Sequence, residues 1–249
     1  MKIVAFTSPV HNLDKDFFKI NPDIPARNRN FVHRIKELGQ LDEKLLGTVS
    51  SNSSIGSMLV VSGPAGIGKT QLVMEYAHAH QNHFTSIFWI FAESTRAIEM
   101  GMLTIAKKLL DHYSRMIESS GVSDAEARIR AASVLGLQEL LNDISPHDNH
   151  LNTIVTRIIT RAVLEWFNRK ENSQWLLVLD GVELEDIIDI FPLIPVNRCN
   201  HGHIILTRRH AVTSKIIRQM PVLPMSTKSS RVLLTKLSGK TEAEKDDGN

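Results

Sequence analysis

The stretch GPAGIGKT, Gly63 to Thr70, joins three glycines to a lysine and a hydroxyl at the G-x-x-x-x-G-K-[ST] spacing, which suits the capture of a polyphosphate. Gly63, Gly66 and Gly68 can adopt positive φ, so successive backbone N–H groups can turn inward as an anion nest at a helix N-terminus. Pro64, Ala65 and Ile67 complete the loop, and Gln71 follows it into the helix. Lys69 would reach the terminal phosphates as a point charge. The Thr70 hydroxyl would ligate a Mg²⁺ ion that keeps most of its waters.

Such a site needs an acid at the end of another strand to hold the metal's water shell. WLLVLDG supplies Asp180 directly after an aliphatic run. A turn or helix-cap aspartate is the ordinary alternative, and the phosphate loop favours the metal role. A third segment, GHIILTRRH, ends in Thr207, Arg208 and Arg209, where a guanidinium can sense a γ-phosphate and a hydroxyl can orient water. Solvated surface arginines are the alternative there.

These residues need strands to end on and helices to begin from. MLVVS, Met58 to Ser62, reads as a buried strand, and Gln71 to His80 as the helix after it. SIFWIFA (Ser86 to Ala92), WLLVLD and HIILT are further strands, and PVLPM, Pro221 to Met225, is a weaker edge strand because of its two prolines. Between the second and third strands lie three helical stretches, roughly Ala97 to Ile117, Asp124 to Leu141 and Leu151 to Asn168. Ahead of the first strand, apolar residues recur at helical spacing through Ile35, Leu38, Leu41 and Leu45. Alternating short apolar strands and helices predict a three-layer α/β fold, a mostly parallel five-stranded sheet with a helical elaboration after its second strand. Trp166, Phe167 and Trp175 are expected in the core under the sheet. Residues 1–30 read as a partly disordered lead-in, 31–237 as the nucleotide-binding domain and 238–249 as a disordered charged tail.

The chain has 249 residues, 42% of them hydrophobic, enough for one substantial core. Its 29 basic and 27 acidic side chains are mixed, net +2, so no single-sign field argues for a nucleic-acid or membrane partner. The single cysteine, Cys199, fits a reducing compartment, and no uninterrupted run of eighteen apolar residues occurs; a cytoplasmic protein is expected. The histidines of HAHQNH, His78 to His83, read as a helix end rather than a metal site.

In order and wording these motifs resemble the NB-ARC branch of the STAND P-loop NTPases, most closely its fungal NOD-like receptor members. VVSGPAGIGKTQLVMEYA resembles the family's nucleotide loop, WLLVLDGVE its Walker B segment and GHIILTRRH its sensor strand, with Arg209 at the sensor arginine. The resemblance implies strand order 2-3-1-4-5, ADP or ATP rather than a guanine nucleotide, and a homo-oligomer or an effector protein as partner. NFVHRIKEL resembles the adenine-side motif, so Phe31, Val32 and Arg34 are implied as base-side residues, with Glu37 and Leu38 also matching. His33 and Ile35 stand where glycine and glutamate are usual, which predicts an altered pocket. The family's next modules, a helical bundle and a winged helix that restrains ADP, do not follow in these residues.

Hydrolysis needs a group that positions or deprotonates water, usually an acid beside the metal aspartate. That neighbour is Gly181. Glu183 is the nearest substitute for a catalytic acid; its ordinary alternative is a solvated loop acid, like Glu185 and Asp186. A signalling switch with slow or no turnover is therefore the first expectation, and a Mg²⁺-dependent ATPase of AAA+ type driving work on a partner is the second.

Overall fold

The computed structural model of the chain describes residues 18–32, 34–47, 57–140, 153–172, 174–183, 187–196, 202–213 and 217–238. His33, Glu185, Asp186, Cys199, the first 17 residues and the charged tail from 239 lie outside them.

The elements run α1 (Ile35–Leu46), β1 (Ser57–Ser62), α2 (Lys69–Ala79), β2 (Ser86–Phe91), α3 (Thr95–Glu118), α4 (Asp124–Leu135), α5 (Thr153–Phe167), β3 (Trp175–Asp180), β4 (His203–Arg208), β5 (Arg218–Pro221) and α6 (Thr227–Ser238). Short 3₁₀ turns occupy Gln138–Leu140 and Ile187–Leu193. All strand pairs are parallel, as the continuous apolar runs require of a sheet covered on both faces.

Period-two alternation divides each strand between two cores. Met58 and Val60 of β1, Phe88 and Ile90 of β2, Leu177 and Leu179 of β3, and Ile204 and Leu206 of β4 meet α3, α4 and α5 on one face. Their neighbours Leu59, Val61, Ile87, Trp89, Leu176, Val178 and Ile205 meet α1 and α2 on the other. That division is the three-layer sandwich. Trp166 and Trp175 are fully buried in the first core, where their indole N–H groups donate to the Tyr113 hydroxyl (2.8 Å) and the Phe167 carbonyl (3.1 Å).

Three expectations need correction. The sheet order is β2-β3-β4-β1-β5, so the strand implied to lie outside β1 instead separates β1 from β3. β1, β3 and β4 are all buried on both faces, so apolar content cannot order them. The polar bonds of the strand ends fix the order: Gly63 N–H donates to Arg208 O (3.3 Å), and Thr207 bonds to the turn after β3. The last strand lies at Arg218–Pro221 rather than Pro221 to Met225, because Pro221 has no N–H and closes the strand. Ile35, placed on the buried stripe of α1 by its spacing, is 73% exposed; Leu41 and Leu45 carry that contact.

Within the lead-in, Phe18 is buried with its ring centroid 6.2 Å from that of Trp166. Ile20 and Asp23 donate their N–H groups to Thr85 and Ile87 carbonyls, both at 2.9 Å, which covers the outer edge of β2.

Candidate functional site

The phosphate loop joins β1 to α2, and its glycines take the backbone values the nest needs: φ is +151° at Gly63, +75° at Gly66 and +97° at Gly68. Gly68 occupies the N-cap of α2, so the first-turn N–H groups and the helix dipole face the loop. Lys69 Nζ folds over it and donates to the Gly63 carbonyl (2.8 Å) and the Pro64 carbonyl (2.9 Å). Burial lowers the Lys69 pKa; the nearby Asp180 carboxylate opposes this shift and the Arg209 cation adds to it. An arriving polyanion would relieve the mutual repulsion of those two cations.

Asp180 ends β3 with only 6% exposure, and two hydroxyls converge on its Oδ1: Thr70 Oγ1 donates at 2.8 Å and Thr207 Oγ1 at 2.5 Å. The carboxylate is turned to the phosphate loop and to β4. Thr207 Oγ1 also accepts the Gly181 N–H at 2.8 Å, and the Thr207 carbonyl accepts the Val182 N–H at 2.8 Å. Gly181 turns the chain at φ +79° to make these bonds. Thr207 therefore does not match the expectation of a water-orienting hydroxyl. It is 1% exposed, and its bonds hold Asp180 and the turn behind it.

Arg208 and Arg209 part company at the end of β4. Arg208 is 8% exposed, and its carbonyl braces Gly63. Arg209 reaches outward to Glu183, Nη2 to Oε1 at 2.7 Å, with both side chains about half exposed. A cleft of about 140 Å³ lined by Lys69, Thr70, Gly181, Glu183, Thr207 and both arginines adjoins one of about 150 Å³ bounded by Glu183, Arg209 and His210. Glu183 thus faces the cleft, but as the partner of a guanidinium.

The base-side residues are placed differently. Val32 is buried, and Phe31 packs half-buried against the α1–α2 core, its carbonyl accepting from Lys236 Nζ at 3.2 Å. The Arg34 guanidinium lies under the phosphate loop, donating to the Ile67 carbonyl at 3.2 Å. Gln71 accepts from Asn28 Nδ2 at 2.8 Å and is held to the lead-in, where Arg27 also pairs with Glu75 of α2. No motif encodes the Thr207–Gly181 bond or the Asn28 and Arg27 contacts; a hydroxyl at the end of a buried strand is the sequence sign of the first.

No group of three or more His, Cys, Asp or Glu side chains suited to a metal occurs among the described residues. One hydroxyl and one carboxylate, Thr70 and Asp180, are the protein oxygens at hand, a donor set that suits a hydrated hard cation shared with phosphates rather than a closed cage. A larger groove of about 670 Å³ runs along α5 past Thr95 and Glu99 to Phe191–Val196, and none of the phosphate loop lines it. No helix among the described residues is long and apolar enough to cross a membrane.

A glycine loop between a buried strand and a helix, with a carboxylate at the end of the next strand but one, defines a nucleotide-binding P-loop NTPase. Residues 30–188 match the AAA ATPase domain family, and the chain belongs to it. No curated protein matches the chain significantly. Among solved structures, one similar chain is a Signal Transduction ATPase with Numerous Domains (STAND) protein with a tetratricopeptide repeat sensor, from Pyrococcus horikoshii. It is 14% identical at a TM-score of 0.45, over 95% of this chain and 28% of that one. This chain thus spans little more than a quarter of that protein, and the likeness is too distant to assign a role.

Proposed function

We propose that the chain binds ADP or ATP with Mg²⁺ through Gly63 to Thr70 and works as a cytoplasmic signalling switch of the NB-ARC, NOD-like receptor kind, with slow or no hydrolysis. The observation that carries the reading is the occupation of the acids. Asp180 is followed by Gly181, and Glu183, the acid that lines the cleft, is ion-paired to Arg209. A general base must be free to take a proton from water, and a carboxylate bound to a guanidinium is a poor one. Bound Mg²⁺ would neutralise phosphate charge. Thr70 and Asp180 would hold it, Lys69 would meet the terminal phosphates, and Arg209, keeping its pair with Glu183, would turn toward a γ-phosphate that ADP lacks. Exchange of ADP for ATP would then alter the surface around Glu183 and so the association with like molecules or an effector.

Membership of the AAA ATPase family favours a second reading, in which Glu183 is released by the same exchange, activates water, and turnover drives work on a partner. Steady-state phosphate release separates the two. The switch requires turnover well below about one per second. Faster turnover that Glu183→Gln abolishes would establish the ATPase instead.

A further inference from the structure

Arg34 stands at the position the motif pattern assigns to the base, yet its side chain is 3% exposed and each of its nitrogens is engaged by protein. Nη1 donates to the Ile67 carbonyl at 3.2 Å, Nη2 donates to the Leu223 carbonyl, and Nε pairs with Glu37 Oε1 at 3.2 Å.

The first bond bears on phosphate chemistry. Ile67 lies between Gly66 and Gly68, both at positive φ, so neither neighbour has a Cβ to limit how its peptides turn. In a trans peptide the carbonyl and the following N–H point in opposite directions. Drawing the Ile67 carbonyl down onto Arg34 therefore turns the Gly68 N–H the other way, toward the mouth of the nest. A Cβ on Gly68 would lie in ordinary contact with Arg34 Nη1, at 3.7 Å, so it is the φ of +97° and not the space that calls for glycine there.

The second bond ties the loop to the segment after β5. Val222 donates its N–H to Ser62 O at 2.7 Å, and a Cβ on Gly63 would come within 2.9 Å of the Val222 carbonyl. The phosphate loop is thus tied to the 222–223 backbone twice, directly at Ser62, the residue before Gly63, and through Arg34 at Ile67. That backbone leads into α6, which has no buried residue of its own.

We propose that Arg34 is a positioning residue for phosphate and not a ligand of the base: it aims the Ile67–Gly68 peptide and couples the loop to the connector that leads into α6. The proposal rests on the nucleotide reading above, and tripolyphosphate, which has no base, separates the two roles. Calorimetric titration of folded wild type, Arg34→Lys and Arg34→Met with tripolyphosphate, ATP and GTP is the experiment. Loss of charge-assisted bonds should weaken tripolyphosphate and ATP by the same factor, about tenfold or more in Arg34→Met, leaving the ATP-to-GTP ratio unchanged. Unaltered tripolyphosphate affinity with ATP falling to the level of GTP would overturn the proposal and make Arg34 a base ligand. Hydrogen exchange on the wild type serves if the variants do not fold. Tripolyphosphate should slow exchange at 63–70 and at 222–226 together, and protection confined to 63–70 would overturn the coupling. A folded wild type that binds neither tripolyphosphate nor ATP refutes the nucleotide reading itself, a result distinct from any behaviour of Arg34.

Discussion

The same parallel strands end in opposite ways. At their C-terminal ends Ser62, Asp180, Thr207 and Arg208 bring polar side chains into burial; the Asp180 carboxylate accepts from the Thr207 and Thr70 hydroxyls, and Thr207 bonds to the turn at Gly181. At their N-terminal ends β3 begins with the buried Trp175, whose ring packs on Phe167 at 4.6 Å and over Gly202, and β4 begins with His203 against Phe84. Strand length and register are shared, so the backbone does not choose which end carries chemistry. Two things do: the helix N-terminus delivered after β1, and side chains that satisfy one another in burial at one end while rings exclude water at the other.

The largest effect should come from the closed end. A Cβ at Gly202 would fall 2.0 Å from the Trp175 ring, so Gly202→Ala should cost about 3 kcal/mol in denaturant unfolding by overpacking. Ligand-induced stabilisation of the molecules that still fold should stay intact. If nucleotide response were lost with it, the two ends would not be separable.

Thr207→Val tests the open end. Removing the hydroxyl leaves the Gly181 N–H without its partner and strips a donor from Asp180, a loss of about 2 kcal/mol. It should also abolish any strengthening of ATP binding by Mg²⁺, measured by titration with and without the metal, and Thr207→Ser should restore both.

His203 contributes a pH dependence at the closed end. Burial, with smaller contributions from His83 and Arg218, lowers its pKa from 6.5 to about 4. The folded state therefore holds a neutral ring while the unfolded chain protonates near 6.5. The stability this confers is present above pH 6.5 and declines as pH falls toward 4. The loss between pH 7 and pH 5 should be about 1–2 kcal/mol, and His203→Gln should flatten that part of a stability–pH profile. The smallest stability change belongs to Arg209→Ala, which removes an exposed pair and should move unfolding by less than about 0.5 kcal/mol. Its effect should appear as a weaker preference for ATP over ADP.

Much of the open end is legible in the residues themselves. Three glycines at fixed spacing announce their own positive φ, and an aspartate closing the apolar strand WLLVLD lands beside Thr70 because parallel strands end at one edge of the sheet. Strand order is not legible: β1, β3 and β4 are equally apolar, and what separates them is a hydroxyl bonded across strands. Arg34 shows the limit of position within a motif. Its place in the pattern points to a base, whereas its carbonyl partners, Ile67 and Leu223, lie 33 and 189 residues away along the chain, and no local spacing encodes them. The last strand ends at Pro221 instead of beginning there, since prolines mark an end without saying which end.

The central claim is that the amides around Gly66 and Gly68, with Lys69, hold the phosphates of an adenine nucleotide. Thermal unfolding of the wild type and of Lys69→Ala with Mg²⁺ and ATP, ADP or GTP tests it most directly. ATP or ADP at about a hundredfold its dissociation constant should stabilise the wild type by roughly 2.7 kcal/mol, GTP by less, and Lys69→Ala should lose the response. A folded wild type that none of the three stabilises, or one that prefers GTP, would contradict it.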